Sequence, residues 1–513
     1  MNLLDFLIAA PLVGFLFTLV LPKENKGLIK MFTLVFSLAV FAASLLLIGP
    51  ALERPSAMTW VTDAPWIASP AIRYHVGMDG VSLWLVLLST FLTPISILLS
   101  WKYIDHRVKE FFAFLLLLEF GLIGVFVALD LFLFYVFWEV CLVPMYFLIG
   151  IWGHDRRIYA AVKFFLYTMA GSVLMLVAIL YIYGKAGTFD YPAILLMLET
   201  GKLAFTHMEE TLLFLAFFLA FAIKVPLFPL HTWLPDAHVE APTAGSVMLA
   251  AVMLKMGTYG LLRFCLPMFP VASKENANWI AVLAITGIIY GALVALVQPN
   301  MKKLVAYSSV SHLGFVVLGL FSGNQWGLDG AVYVMLAHGI STGALFMLVG
   351  FLYERQHSLD IKDYGGVATP APWLSTVFLV TTLASIGMPL LNNFIGEYLV
   401  LQGAAKINIW WAVFAATGVI LSACYMLWMY QRTFYGETPE SVKHHVHDLG
   451  AREWACILPL LALMIWMGVF AQTFLPSIGA SNKTILDRTQ PTRNELRVAL
   501  PAAASTEVAN HGR

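Results

Sequence analysis

The chain has 513 residues, of which 60% are hydrophobic and only 12% are charged, and its mean hydropathy is +0.81. Soluble domains carry roughly 25% charged residues, so a water-soluble protein of this composition lacks the polar surface that it needs. The formal net charge is zero, and the sequence shows neither a basic tract for nucleic acid nor an acidic tail. We therefore expect a membrane protein that contacts lipid and has no nucleic-acid partner.

Apolar runs of about 20 residues, the length that crosses a bilayer, follow one another along the chain. The first has no basic region ahead of it, which favours a retained helix over a cleaved signal peptide. The predicted fold is an all-α membrane protein of about fourteen transmembrane helices. The runs lie near 2–21, 28–50, 79–101, 110–129, 130–151, 158–184, 208–230, 242–265, 277–298, 302–322, 326–353, 373–402, 408–434 and 453–475.

The longer connections are 51–78, 185–207 and 435–452, and the polar tail 476–513 is predicted to have no core of its own. Most Lys and Arg residues outside the apolar runs follow odd-numbered runs. Because cytoplasmic loops carry the excess of positive charge, both termini are predicted to lie on the outer face.

Several ionisable residues lie deep inside the apolar runs. A charged group at this depth costs roughly 2.5–3.5 kcal/mol even on lenient insertion scales. Buried polar residues also fix helix packing, but a set spread over so many helices favours a functional pathway. The set is Lys224, Lys255, Glu119, Glu139, Glu397, His312 and His338.

This set suits proton transfer. A buried lysine beside a carboxylate can hold or release a proton near neutral pH, depending on the distance between them. We expect Glu139 and Lys224 to act as such a pair. Lys255, the two histidines and Glu397 would then carry the proton onward, with water molecules filling the gaps.

Two of the runs are interrupted next to these residues. Pro226, Pro229 and Pro235 follow Lys224, and a proline breaks the hydrogen bonding of a helix. The stretch before Glu397 is interrupted in a similar way, by Gly387, Pro389, Asn392, Asn393 and Gly396. Broken backbone at membrane depth is tolerated where it is buried or lines a water-filled cavity. Two broken helices five runs apart indicate a duplicated five-helix unit with inverted topology.

Four segments of the chain resemble the antiporter-like subunits of respiratory complex I, the NADH–quinone oxidoreductase. They are FWEVCLVPMYFLIGIWG, KVPLFPLHTWLPDAHVEAPTAGSVMLAAVMLKMGTYGLLR, VQPNMKKLVAYSSVSHLGF and the broken stretch ending in FIGEY. The resemblance runs along essentially the whole chain and is strongest between about residues 110 and 435. Related subunits of cation/proton antiporters usually carry Lys at the position of Glu397, so this glutamate favours the subunit M type.

The resemblance implies that helices four to eight and nine to thirteen are inverted repeats. The predicted organisation is a three-helix segment (1–108), an antiporter-like core (109–435), a transmembrane helix with its preceding loop (436–475) and the tail (476–513). In the core, Glu139 and Lys224 would be the proton input, Lys255 the central relay and Glu397 the output. Residues of lesser weight are Glu119, His231, His238, His312 and His338.

The resemblance also implies that FMN, iron–sulfur clusters and quinone are bound by partner subunits and that this chain binds no cofactor or metal. Its partners would be the other membrane subunits of complex I, especially neighbouring antiporter-like ones, and membrane lipid. It would belong to an enzyme, the proton-translocating oxidoreductase, without catalysing redox chemistry itself. The expected location is the bacterial cytoplasmic (inner) membrane.

The sequence agrees with the absence of cofactors, because it contains no C-x-x-C, G-x-G-x-x-G or Walker-type motif. The cysteines are interpreted as small buried hydrophobic residues; they are Cys141, Cys265, Cys424 and Cys456. The His-rich run 444–447 is interpreted as a solvated loop rather than a metal site, and Asp79 as an N-terminal helix cap.

Two other functions compete with proton conduction within complex I. A multisubunit Na⁺(K⁺)/H⁺ antiporter would need several oxygen ligands for its cation, whereas the deep set contains lysine and histidine. A purely structural scaffold would not need buried charges.

Overall fold

The structure is a computed structural model that describes residues 2–489. It is mostly helical, with one two-stranded antiparallel sheet, β1 (Thr59–Ile67) and β2 (Ile72–Met78). Nineteen helices are labelled here in chain order. They are α1 (Leu3–Val20), α2 (Lys26–Glu53), α3 (Gly80–Leu99), α4 (Val108–Val127), α5 (Leu131–Trp152), α6 (Arg157–Ala186), α7 (Tyr191–Glu199), α8 (His207–Lys224), α9 (Trp233–Glu240), α10 (Thr243–Met268), α11 (Pro270–Leu296), α12 (Met301–Phe321), α13 (Gln325–Gln356), α14 (Pro372–Ser385), α15 (Asn392–Ile407), α16 (Ile409–Phe434), α17 (Glu440–His445), α18 (Ala451–Val469) and α19 (Leu475–Thr489).

The predicted fourteen spans are confirmed. Over residues 2–489, 12 helices are long and apolar enough to cross a membrane. The other two spans are the predicted broken helices, α8 followed by α9 and α14 followed by α15. Each is interrupted where the sequence places proline.

The two five-span units share a local feature at corresponding places. In the first unit, backbone at Asp130, which precedes α5, pairs with backbone at Asp190. In the second unit, backbone at Asn300, which precedes α12, pairs with backbone at Asp360. Because each unit has an odd number of spans, the second begins on the opposite side of the membrane, and the repeats are inverted.

Contacts between the loops divide them into two groups that alternate along the chain. One group, here called the hairpin side, contains the β-hairpin and α19; Asn2 donates to Trp60 O (2.8 Å), and Ser481 donates to Pro55 O (2.6 Å). On the opposite side, His154 N–H donates to Glu240 O (3.0 Å). This grouping matches the alternation expected for fourteen spans.

The sequence did not predict the hairpin, α7 or α19. The tail expected to be a polar extension begins with α19, whose Ile478 and Ile485 are buried. These two residues are two helical turns apart and lie on one face, which packs against α13 and α3. Residues 490–513 of the tail lie outside the described residues. One cysteine also differs from its interpretation: Cys424 is exposed, whereas the other three are buried.

Candidate functional site

The first broken helix ends at Lys224, the last residue of α8. The carbonyl of Ile223, freed by the break, accepts a hydrogen bond from the Trp233 indole N–H at 2.9 Å. α10 packs closely on the broken end: a Cβ at Gly257 would lie 2.9 Å from Val225 N. The break is therefore a packed, hydrogen-bonded structure.

The side chain of Lys224 is buried against aromatic rings. Its ammonium lies 5.6 Å from the ring centroid of Trp138 and 5.2 Å from that of Phe164, within the range of cation–π attraction. Glu139 lies on the neighbouring helix α5 and is partly exposed. Within residues 2–489, Lys224 forms no ion pair with Glu139 at 4.0 Å or less. Glu139 and Lys224, the expected input pair, thus lie on neighbouring helices but do not form an ion pair in this structure.

Lys255 lies at the centre of α10 and is fully buried. A π-helical turn at Leu249–Met253 directly precedes it, and such turns are frequent at functional sites. The Lys255 ammonium donates to Ala250 O at 2.6 Å and lies 2.8 Å from His338 Nδ1. The π turn thereby supplies a backbone acceptor that helps to hold the ammonium beside His338.

Two histidines and a glutamate continue this row across three helices. The rings of His338 (α13) and His312 (α12) lie 5.9 Å apart in an edge-on arrangement. His312 Nδ1 is 2.9 Å from Glu397 Oε1 of α15. All four residues of the Lys255–His338–His312–Glu397 row are buried, the most exposed at 3%. The structure brings together the residues that the sequence assigned to the central and output steps.

The second broken helix shapes the end of the row at Glu397. Gly387 has a φ of +75°, and a Cβ there would lie 2.7 Å from Glu397 Oε2. Only glycine meets both demands, because other L-residues are strained at positive φ. Asn393 Nδ2 donates to Ser341 Oγ at 3.1 Å. The break therefore places a carboxylate and amide groups in the protein interior.

Many buried polar atoms around the row have no hydrogen-bond partner within the described part of the chain. A buried polar group needs a partner, and a water molecule among several such groups provides one. This observation fits the expected water links between the side chains. The atoms include His338 Nε2, His312 Nε2, Thr342 Oγ1, Thr382 Oγ1, Ser385 Oγ and Asn393 Oδ1.

Comparison with known proteins places this arrangement in a family. A family profile described as "NADH:quinone oxidoreductase/Mrp antiporter, TM" matches residues 128–422, more than half of the chain. The NADH-quinone oxidoreductase subunit M of Rhodobacter capsulatus is 47% identical over 460 residues, which cover 88% of this chain and 89% of that protein. The chain belongs to this family.

Two further members extend the likeness in sequence and in structure. The NADH-ubiquinone oxidoreductase chain 4 of Marchantia polymorpha is 43% identical over 479 residues, covering 93% of this chain and 96% of that protein. A chain of respiratory complex I from Thermus thermophilus, solved with bound NADH, superposes with a TM-score of 0.87 at 32% identity. That match covers 95% of this chain and 100% of the solved chain, so the family fold extends over nearly all described residues.

Of the residues given lesser weight from the sequence, His312 and His338 belong to the row, whereas Glu119, His231 and His238 are not hydrogen-bonded to it. Glu119 is fully buried on α4, and both of its carboxylate oxygens lack a partner among the described residues. His238 stacks on Phe346 with the ring centroids 4.4 Å apart. His231 lies against Phe228 and Tyr290.

Several buried cations were not predicted from the sequence, because they lie near the ends of the apolar runs and resemble loop residues. Lys302 is buried and donates to Ala241 O at 2.5 Å. Arg355 and Arg263 are also buried, each in an ion pair, and the half-buried Lys163 pairs with Asp236 at 2.7 Å. Lys224 and Lys255 are therefore not the only buried cations. The apolar neighbours of Lys163 and Arg263 in the sequence are the signal that would have identified them.

Proposed function

We propose that this chain conducts protons across the membrane as a subunit M-type component of the membrane arm of a proton-pumping NADH:quinone oxidoreductase. The observation that carries the proposal is the row Lys255–His338–His312–Glu397. It joins four helices through titratable groups only, and two of its three contacts are hydrogen bonds of 2.8 and 2.9 Å. Each member can both accept and release a proton.

Protons move along the row because two adjacent groups that both carry a positive charge repel each other. A cation on Lys255 and another on His338 would repel one another at 2.8 Å. Protonation of Lys255 therefore drives a proton from His338 towards His312, whose imidazolium is stabilised by the Glu397 carboxylate. Release from the His312–Glu397 pair resets the row. In this proposal Glu139 and Lys224 supply Lys255, and Glu119, His231 and His238 modulate the charge around it.

The input step requires movement or water. Lys224 is held by aromatic rings and forms no ion pair with Glu139 within the described residues. A Glu139 carboxylate that approaches Lys224 stabilises its ammonium, and one that withdraws favours its deprotonation. The open pair is the state in which the lysine can pass its proton to Lys255.

The identity of the partner subunits is inferred from the names of the relatives and from the partly exposed Glu139. The relatives carry names of NADH–quinone oxidoreductase subunits, so we assign FMN, iron–sulfur clusters and quinone to other subunits of that complex. Glu139 is partly exposed in a spanning helix, although its Oε1 atom is buried, and lipid would be a costly neighbour for any exposed part of a carboxylate. A neighbouring antiporter-like subunit covering Glu139 removes this cost.

We assign the chain to the bacterial cytoplasmic (inner) membrane, with the hairpin side and both termini on the outer face. The assignment rests on the excess of Lys and Arg in the loops of the opposite side. Protons are then taken up near Lys224 and released from Glu397.

The alternative, a subunit of a multisubunit Na⁺(K⁺)/H⁺ antiporter, has less support. The family description includes Mrp antiporters, but the relatives at 41–47% identity over most of the chain are named NADH–quinone or NADH–ubiquinone oxidoreductase. The row also contains lysine and histidine, which suit protons better than sodium.

The test is Glu397→Gln in the assembled complex, with NADH:quinone reductase activity and proton pumping measured in vesicles. The amide keeps the shape of the side chain but does not titrate, so we expect both rates to fall by at least about tenfold. Glu397→Lys, which titrates, should retain more activity than Glu397→Gln.

The matched control is Glu440→Gln, because Glu440 is an exposed carboxylate paired with Lys443 on α17; its rates should be unchanged. A native gel reports assembly of each variant. Full pumping by an assembled Glu397→Gln complex would remove this residue from the pathway. Native complexes that contain no flavin or iron–sulfur subunit would favour the antiporter instead.

A further inference from the structure

α10 carries a second buried cation that proton conduction along the row does not use. Arg263 is 3% exposed and lies in a second π-helical turn, Leu261–Cys265. Its guanidinium donates to Asp79 Oδ2 at 2.6 Å and to the Tyr259 hydroxyl at 3.2 Å. Its carbonyl accepts a hydrogen bond from the Tyr191 hydroxyl. Asp79 at the N-terminus of α3 and Tyr259 of α10 thus fix the guanidinium, and Tyr191 of α7 holds the backbone of Arg263.

Arg263 lies in line with the central lysine. Lys255, Tyr259 and Arg263 follow at intervals of four residues and so project from one face of α10, about 6 Å apart along the axis. The Tyr259 hydroxyl donates to Phe126 O at 2.9 Å and lies 3.2 Å from Ser82 Oγ. The Tyr259 hydroxyl therefore lies beside the ion pair, at the position between Lys255 and Arg263 on this face of α10.

Beyond the ion pair lies a pocket on the hairpin side. It has a volume of about 180 Å³, and Asp79 and Arg263 form part of its wall. Tyr191 of α7 and Ser481 and Arg488 of α19 line it as well. A water-filled pocket here and the Tyr259 hydroxyl would together offer a short route from the outer face to Lys255, separate from Glu397.

The charges at this place oppose the passage of a proton. Arg263 does not release its proton. Asp79 balances that charge, but its other oxygen accepts from the N–H groups of Val81 and Ser82 at the N-terminus of α3. The guanidinium lies between that carboxylate and the Tyr259 hydroxyl, so a proton on this path meets a fixed positive charge next to Tyr259. Fixed cations of this kind exclude protons from membrane pores.

We propose that the Arg263–Asp79 pair is a barrier that prevents protons in the outer pocket from reaching Lys255 along α10. Lys255 then exchanges protons with the outer face only through His338, His312 and Glu397. Without the barrier, pumped protons would return to the central lysine by the shorter route. This inference rests on the proposed function, since it assumes that Lys255 carries protons.

The test measures passive proton leak through the assembled complex in proteoliposomes, under an imposed pH gradient and without NADH. Single variants at the two positions separate the effect of charge on the leak from the effect of packing. Arg263→Gln leaves the Asp79 carboxylate alone and attracts cations, so the gradient should collapse several-fold faster than in the wild type. Asp79→Asn leaves the guanidinium and should remain as tight as the wild type. If the ion pair only stabilised the fold, Arg263→Gln and Asp79→Asn would have the same rate of proton leak.

A double variant guards against misfolding caused by one unpaired charge. Asp79→Asn with Arg263→Gln keeps hydrogen-bonding groups at both positions and removes both charges, and it should leak. The matched control is Arg355→Gln with Glu453→Gln, another buried pair with two contacts of 2.7 Å, which lies on the opposite side and should stay tight. Adding Tyr259→Phe to the leaking variant removes the hydroxyl beside the ion pair. The rate of proton leak should then fall back towards that of the wild type.

Three results would overturn the barrier. They are an assembled double variant that holds the gradient like the wild type, equal leaks in the double variant and its control, and a leak that persists with Tyr259→Phe. Failure of the proposed function is a different result: the wild-type complex would oxidise NADH without pumping, whatever its passive leak.

Discussion

At the scale of single residues, the two inverted units each join an acid and a base across corresponding helices, but with the roles exchanged. In the first unit the acid, Glu139, lies on α5 and the base, Lys224, ends α8. In the second unit the base, His312, lies on α12, and the acid, Glu397, lies on α15. Only the second pair is in contact, at 2.9 Å. In this structure the proposed output pair is closed and the proposed input pair is open.

Gly387→Ala tests how tightly the output pair is positioned. A methyl group at Gly387 would lie 2.7 Å from Glu397 Oε2, and the φ of +75° adds strain. Displacement of the carboxylate from His312 by about 1 Å should lower proton-coupled turnover by about tenfold to 100-fold. Pumping in vesicles and a native gel measure turnover and assembly.

Gly187→Ala is the matched control for that variant. Its φ is +73°, but nothing lies within 4 Å of the added Cβ. It should show the strain of the left-handed conformation, about 1–2 kcal/mol, with pumping retained. Equal losses in the two variants would mean that strain, and not the contact with Glu397, limits turnover.

His75 on the hairpin side makes one contact of the fold sensitive to pH. Burial disfavours its charged form, but the hydrogen bond and charge of Asp190 outweigh burial, so the pKa of His75 is raised above its ordinary value of 6.5. The neighbouring charges Asp63 and Arg73 act in opposite directions. A raised pKa contributes stability that is fully present below the unfolded value and is lost as the pH rises through the folded value.

Amide exchange of residues 59–78 in the intact complex should therefore show protection that falls as the pH rises above 6.5. In His75→Gln, which has no titrating ring, protection should change little over the same range. His207→Gln removes an exposed histidine paired with Glu275 and should keep the wild-type profile. The same pH profile in the wild type and in His75→Gln would contradict the assignment.

At the scale of elements, the sequence predicted the spans and both breaks because apolar length, proline and glycine act locally. The π turns of α10, by contrast, leave no mark in an apolar sequence, since they depend on how neighbouring helices pack. The hairpin was missed because β1 is largely exposed. The buried partners of Arg263 and Lys302 were missed because they come from distant parts of the chain.

Trp233→Phe tests whether the first break is held by its own hydrogen bond. The indole N–H is the donor to the freed Ile223 carbonyl at 2.9 Å in a buried site. Removing it leaves that carbonyl unpaired and should cost about 1–3 kcal/mol of stability. It should also loosen Lys224, which is adjacent to Ile223.

The measurements for Trp233→Phe are thermal dissociation of the complex and proton pumping below the transition. Trp466→Phe serves as control, because that indole donates to Thr473 from an exposed position near the end of α18, and no buried carbonyl loses its partner. Unchanged pumping and thermal stability in Trp233→Phe would show that packing alone maintains the break.

At the scale of the whole molecule, the contacts between loops establish which loops share a side but not which side is cytoplasmic. The orientation depends on counting Lys and Arg in the loops, and three of the counted residues are buried in the structure. Lys302 and Arg355 come from the favoured set and Arg263 from the other, so removing them leaves the bias in the same direction. Both termini are still expected outside.

Labelling of single cysteines in whole cells tests this orientation, and the structure selects the positions. Lys302 is buried and unsuitable, whereas Lys202 and Lys362 are exposed and lie on the hairpin side and the opposite side. In a background without native cysteines, since Cys424 is exposed, a membrane-impermeant maleimide should label Lys202→Cys in intact spheroplasts. Lys362→Cys should react only after permeabilisation. The reverse pattern would invert the orientation while keeping the alternation of loops, and the direction of proton transport assigned to Glu397 would invert with it. Labelling of both positions in intact spheroplasts would contradict the alternation itself, and with it the arrangement of fourteen spans.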